Sequence, residues 1–415
     1  MRAGRILAAG VGAILGGAFG GHLARRVRRA QLSRRMLRMG EEVPLDVLLE
    51  REVGVPVREG NDLELITNGA IFDALADEIR AARESIHISE FVWMGAGDPS
   101  ERIGRAILAR RRGVACRILV DRFGSRRFDP ALERRLLAGG VELRRHRPFP
   151  DPFRVNHRRI WVFDGRRACV GGFGVFRTWL GDGNHPHAWR DTAARVRGPI
   201  VGDLQRAFDH SWQSEGGAPL PADAYPRLRG GGRVRAAVVA SSPAWARTTA
   251  AARMYYALVA TARRRLWVAN SYFVPDRSLQ NLLVARARDG VDVRVLAPGP
   301  HHDIGIVLAG QRRTYDRLLA GGVRIFEYAA SMMHAKTLVV DDVAVIGSTN
   351  MDSQSMSFLW DASVVAYSPR LAQQLADRFL LDLGRSSEIH PERWARRPLA
   401  DRVKQGASVV AEAWL

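Results

Sequence analysis

The sequence predicts an α/β fold built of two similar halves and preceded by an apolar N-terminal segment. Three observations predict it. Beyond Gly60, amphipathic stretches alternate with short apolar runs, the same order of elements comes twice, and a Pro/Gly-rich joint lies between the two series. With 415 residues, 47% hydrophobic and 26% charged, the chain has room for two cores and is not a disordered one. Its two cysteines, Cys116 and Cys169, form at most one bridge, which excludes a disulfide scaffold and a cysteine-based zinc site.

The first element is ILAAGVGAILGGAFGGHLA, Ile6 to Ala24, which carries no formal charge. At about 1.5 Å per residue, such a helix is roughly as long as a bilayer's hydrocarbon core is thick. Gly12, Gly16 and Gly20 recur at every fourth position, a spacing that lets membrane helices approach closely. We therefore expect a membrane anchor over residues 1–24. A cleaved signal peptide with Arg2 and Arg5 as its charged start is the rival. The arginines from Arg25 to Arg38 oppose export and place the body on the cytoplasmic face. Residues 25–60 read as a basic juxtamembrane linker. Within it, Val27, Leu32, Met36, Leu37 and Met39 suggest a surface helix on anionic lipid, and a solvated linker is the plainer option.

The first half spans residues 61–225. IFDALADEIRAARE is amphipathic at helical spacing and leads into SIHISEFVWM; a basic helix-like stretch leads into GVACRILVD and a further helix into GVELRRH, before RRIWVFDG and RRACVGG. The second half, 226–385, repeats this order. MYYALVATARRR leads into LWVANSYFVP, SLQNLLVARARD into GVDVRVLAPG, and YDRLLAGG into VRIFEY, with TLVVDD and VAVIGST closing the series. Pro219, Pro221, Pro226 and the glycines at 230–232 mark the joint. Such a long repeat implies a duplicated domain, whose halves are expected to face each other across one cleft. The tail, 386–415, is expected to form an amphipathic helix that rests either on membrane or on the body.

The formal charge of +20 points to anionic partners, and nine arginines without an acid fall within residues 1–40. Cations are written almost wholly as arginine: Lys336 and Lys404 are the two lysines. Lys336 belongs to a pattern. Of the eleven histidines, two are followed two residues later by a cation, and both stand at the same place in the repeat: His157-Arg158-Arg159 with Asp164 beyond, and His334-Ala335-Lys336 with Asp341 beyond. Chance would give this spacing about 0.17 times in such a composition. Positions two apart on a strand share a face, so histidine and cation point together into the cleft. The aspartates, roughly 16 Å further along an extended strand, read as structural groups that hold backbone or pair with an arginine.

Two facing imidazoles suit displacement at phosphorus. One attacks as nucleophile and the other protonates the departing alcohol, then deprotonates its replacement. Arg159 and Lys336 would hold the non-bridging oxygens, so no metal or other cofactor is called for.

The paired motifs resemble the phospholipase D superfamily, whose signature is H-x-K-x4-D in two halves. HAKTLVVDD with IGSTN matches closely, and NHRRIWVFDG with VGG matches with Arg159 in place of lysine. Over roughly residues 60–385 the chain is most similar to bacterial cardiolipin synthases, through GNDLELITNGAIFDAL, WRDTAARVRGP, SYFVPDRSLQNLL and GVRIFEY. The resemblance implies two pseudo-twofold halves, each a mixed sheet flanked by helices, with the sheets forming a sandwich. It implies His157 as nucleophile, His334 as acid and base, and Ser348 and Asn350 as the phosphate-contacting turn. It also implies Asp191 and Asp361, which follow His157 and His334 respectively, as the acids that orient the histidines. The chain departs from the family at Gly174, where an asparagine is usual, which suggests a weaker phosphate site in half one. It departs again at Gln354, Leu359 and Asp361, which replace an arginine, an asparagine and a glutamate. His301, His302 and Asp303 read either as the lining of a lipid entrance or as a polar loop.

The function expected first is a phosphatidyltransferase of the bacterial inner membrane, with its body on the cytoplasmic side. It would join two phosphatidylglycerols into cardiolipin and release glycerol. A phosphodiesterase acting on lipid or nucleic acid and a non-catalytic lipid-binding homologue are the alternatives, with nucleic acid ranked below lipid as partner.

Overall fold

A computed structural model of the chain describes residues 24–408 apart from 111–112, 148–153, 229 and 245–247. The first half contributes β1 (Arg58–Thr67), β2 (Ser85–Glu90), β3 (Ala115–Asp121), β4 (Glu142–His146), β5 (Ile160–Phe163), β6 (Arg167–Gly171) and β7 (Thr192–Arg197). The second contributes β8 (Val234–Ser241), β9 (Arg265–Asn270), β10 (Asp292–Pro298), β11 (Arg324–Tyr328), β12 (Lys336–Val340), β13 (Val343–Gly347), β14 (Asp361–Tyr367) and β15 (Ser386–Glu388).

The two strand orders are β4-β3-β2-β5-β6-β7-β1 and β11-β10-β9-β12-β13-β14-β8, so every first-half strand has its counterpart in the second half, to which β15 is an addition. In each half the three strands joined through helices are parallel and the rest antiparallel, the pattern expected where helical crossovers give way to hairpins. One expectation is corrected. The halves do not hold separate sheets, because the equivalent strands β1 and β8 pair antiparallel, Arg58 with Ala236 and Asn61 with Val234, making one sheet of fifteen strands. Buried Asn61 secures this seam by donating to Val234 O (3.2 Å) and accepting from Ile200 N (3.0 Å).

The sheet folds back on itself, so that β6 and β7 meet β13 and β14. Val162, Val170, Ala194 and Val196 of half one and Val339, Ala344, Ile346 and Val364 of half two share one core between the facing layers. Helices cover the outer faces. In Ala70–Ala81, Ile71, Phe72, Leu75 and Ile79 point inward at helical spacing over a core of Ile86, Ile88 and Ile118. Capping side chains set several helix starts: Asp129 before Pro130, Thr249, Asp276, and Ser368 before Pro369.

One further expectation changes, and one open alternative is decided. Residues 24–42 are a helix, and its face of Arg29, Ser33, Met36 and Gly40 is buried. Met36 joins the second half's core, with Leu32, Leu37 and Met39 packed beside it, and Arg29 pairs with Asp276 at 2.8 Å. Of the apolar positions read as lipid-facing, Leu32, Met36, Leu37 and Met39 thus face protein while Val27 stays exposed, and the segment packs on the body rather than forming a solvated linker. The tail packs on the body. Its β15 extends the second half's sheet beside β11, and helix Leu399–Ala407 lies against Gly305–Arg313. The expected anchor falls outside the described residues except for Ala24; among the described residues no helix is long and apolar enough to cross a membrane.

Candidate active site

His157 sits at the approach to β5, where Asn156 bridges to Trp360 and His157 N donates to Trp360 O (2.9 Å). His334 lies just ahead of β12, with its N donating to Arg190 O (2.7 Å). Each imidazole is thus placed by backbone from the opposite half. The carboxylates are exchanged in the same way. His157 Nδ1 donates to Asp361 Oδ1 (2.8 Å), and His334 Nδ1 donates to Asp191 Oδ2 (2.7 Å). Sequence order suggested the acid following each histidine in its own half. The facing of the two layers brings the acid of the other half instead. With Nδ1 protonated against a carboxylate, each ring is left with an Nε2 lone pair.

The cations stand beside the rings. Arg159 Nη1 donates to Gly172 O (2.5 Å), and its guanidinium lies over Phe91 (5.5 Å) and Trp179 (5.9 Å). Phe91 meets His157 edge-on at 4.8 Å, and Trp179 meets His334 edge-on at 5.0 Å. One guanidinium therefore links the surroundings of both histidines. Lys336 Nζ donates to His334 O (2.6 Å) and lies 3.0 Å from each of that ring's nitrogens. Gly172 is required here, because a Cβ would lie 2.5 Å from Asp191 Oδ1 and 3.0 Å from His334 O.

Burial sets the charge states. It is the largest influence lowering His157 to about 4, with Arg159 adding to it against the pull of Asp361. His334 is held well below its usual range by burial, then by Lys336 and Arg159, with His157 also among its depressing charges. Lys336 is lowered by burial and by Arg159. Burial would raise Asp361, yet His157 and the Ser348 and Ser355 hydroxyls outweigh it and hold that acid below the usual carboxylate range. Burial pushes Glu90 up to about 8 despite Arg159, so near neutral pH it offsets little of the arginine's charge.

Ser348 Oγ donates to Asp361 Oδ1 (2.8 Å), and Asn350 Oδ1 accepts from Ser271 Oγ (2.9 Å). Asp164 and Asp341 stand apart from the centre, accepting backbone N–H groups of Arg83 to Ser85 and of Arg263 to Arg265. Among the described residues no three His, Cys, Asp or Glu side chains converge as a metal-holding group.

A family model described as "Cardiolipin synthase, PLD-like domain" matches residues 75–212 and 255–383. The chain belongs to this family. A cardiolipin synthase of Geobacillus kaustophilus (strain HTA426) is 32% identical over 367 residues, 85% of this chain and 72% of that protein. One of Listeria monocytogenes serotype 4b (strain CLIP80459) is 30% identical over 371 residues, 86% and 76% of the two. Among solved structures, phosphatidylserine synthase from Haemophilus influenzae Rd KW20 shares the fold, with a TM-score of 0.64 at 12% identity. The match covers 89% of this chain and 100% of that one.

Within this cardiolipin synthase family member, the departure at Gly174 has a local compensation. A Cβ there would lie 2.8 Å from Val92 Cβ and 3.0 Å from the Trp179 ring, so no amide side chain fits. Trp179 Nε1 instead donates to Asp191 (2.8 Å), as Ser348 does to Asp361. Phe91, Trp179, Trp189 and Tyr272 surround the histidines without having been marked by any sequence period. Aromatic residues crowded into the non-strand stretch 176–189 are the one signal that could have flagged part of the set.

Proposed function

We propose that the chain is a phosphatidyltransferase that makes cardiolipin and glycerol from two phosphatidylglycerols through a phosphohistidine. The exchanged carboxylates carry this reading. They give two buried, oriented imidazoles, one from each half, flanked by Arg159 and Lys336. His157 Nε2 attacks phosphorus while the phosphorus–oxygen bond to glycerol breaks, and His334 gives its proton to the departing oxygen. The anionic diester itself raises the proton affinity that burial and neighbouring cations depress in His334. His334 then takes the proton of a second phosphatidylglycerol's primary hydroxyl, whose oxygen displaces His157 from phosphorus. Arg159 and Lys336 hold the non-bridging oxygens throughout.

His157 is assigned the nucleophilic role by its place in the first-half motif, as the family resemblance implies, and its Nδ1–H bond to Asp361 leaves Nε2 free to attack. Membrane placement on the cytoplasmic side is supported by the arginine-rich start of the chain. The test supplies phosphatidylglycerol vesicles without divalent metal and identifies products by mass. Wild type is expected to yield cardiolipin and glycerol, and His157→Ala or His334→Ala to lower turnover by about three orders of magnitude or more. Full activity in both variants would reject the mechanism, and phosphatidic acid as sole product would make the protein a hydrolase.

A further inference from the structure

The loops that follow the equivalent strands β3 and β10 differ in what they leave unmet. After β3, Asp121 is closed off: its carboxylate accepts from Phe123 N (2.8 Å), Gly124 N (2.9 Å) and Asn156 N (3.0 Å). After β10, the His302 side chain is fully buried, and its Nδ1 accepts from Ile304 N at 2.9 Å. That contact is shorter than the 3.4 Å to Asp303 Oδ1, which places the proton on Nε2, and Nε2 has no partner. A buried N–H without an acceptor is costly and invites a ligand oxygen.

This group adjoins the reacting centre. The Tyr272 ring neighbours both histidines, 5.5 Å from His302 and 6.2 Å from His334, with Lys336 Nζ 5.9 Å from its centroid. Tyr272 OH donates to Asp303 Oδ2 (2.8 Å). The Asp303 side chain remains 27% exposed, so the cluster opens outward. On the His157 side the corresponding neighbour is the apolar ring of Phe91. The two sides of the centre are chemically unlike.

We propose that His302, Asp303 and Tyr272 form a subsite for a glycerol headgroup on the His334 side, occupied twice in each turnover. The inference rests on the transferase reading above. His334 protonates the glycerol that leaves and deprotonates the glycerol hydroxyl that arrives, so both must lie on its side of phosphorus. With one hydroxyl at His334, the remaining glycerol hydroxyls reach toward His302 Nε2–H and the Asp303 carboxylate. Water is too small to span the same groups, so the subsite favours transfer over hydrolysis.

The test compares full-length wild type, His302→Leu, His302→Asn and Tyr272→Phe on phosphatidylglycerol vesicles, reading the cardiolipin to phosphatidic acid ratio. A second arm adds glycerol and 1-propanol in competition as soluble acceptors. In His302→Leu the ratio is expected to fall at least tenfold and the preference for glycerol to vanish. His302→Asn, which keeps an N–H donor, recovers part of both, and Tyr272→Phe, which frees Asp303, lowers the ratio severalfold. An unchanged ratio and preference in His302→Leu or, should that variant fail to fold, in Tyr272→Phe would overturn the subsite. Wild type giving no cardiolipin would strike the transferase reading itself.

Discussion

Burial is the main force on the His157 imidazole, lowering it from an ordinary value near 6.5 to about 4. The consequence for chemistry is a nucleophile that stays unprotonated well into acid. A phosphatidyl p-nitrophenyl ester, whose leaving group needs no proton from His334, isolates this step. The rate of phosphohistidine formation, measured by rapid quench, is expected to have its acid midpoint displaced below 6.5 toward 4; a midpoint at or above 6.5 would contradict the assignment. For stability the sign is also set. Between the folded and unfolded values the unfolded chain binds the extra proton, so the contribution is complete above about 6.5 and is lost as pH falls toward 4, in all about 3 kcal/mol. The two histidines were legible because a rare spacing recurs in a duplicated frame. Their carboxylate partners were misread, because sequence points to the acid that follows, whereas Asp361 lies 204 positions from His157 and reaches it only when the layers face.

At the scale of elements, the same staple appears in each half. Asp164 and Asp341 occupy left-handed turns, with φ of 55° and 52°, between β5 and β6 and between β12 and β13. Each accepts three consecutive backbone N–H groups at the start of a neighbouring strand, β2 or β9. Loss of these acceptors is expected to cost about 1–3 kcal/mol. Asp341→Ala should therefore lower the melting temperature by a few degrees. Asp341→Asn, which tolerates the turn and keeps one oxygen, should lower it less. Calorimetry checks both, and transfer per folded molecule should remain near that of wild type; loss of chemistry with stability intact would place the aspartate in the reaction instead. Patterning showed which faces are apolar, as in Ile71, Leu75 and Ile79, but not what covers them. That is why the helix over 24–42, with Met36 among arginines, was read toward lipid when its partner is the second half's core. The pairing of β1 with β8 likewise depends on strands more than 160 positions apart, which no local pattern encodes.

For the whole molecule, the question is what holds the halves at the separation the chemistry needs. Arg158 of half one donates to Ser241 O (2.9 Å) in half two and to Ala207 O (2.6 Å) in its own. On the other side, the segment bearing Asp191 is fixed by Arg190, whose N donates to Met332 O (2.9 Å) and whose guanidinium pairs with Asp382 at 2.8 Å. Both partners of that pair are almost fully buried, at 3% and 2% exposure. Removing one leaves an uncompensated interior charge, a loss of about 3–5 kcal/mol, whereas removing both together costs far less. Asp382→Ala is therefore expected to destabilise strongly, and Arg190→Met combined with Asp382→Leu to recover most of the loss in chemical denaturation. Because Arg190 sets the backbone on which Asp191 meets His334, the double variant should regain stability without regaining full transfer rate. Recovery of both together would show that the pair supports the fold alone, and that the position of the second histidine is fixed by other contacts across the seam.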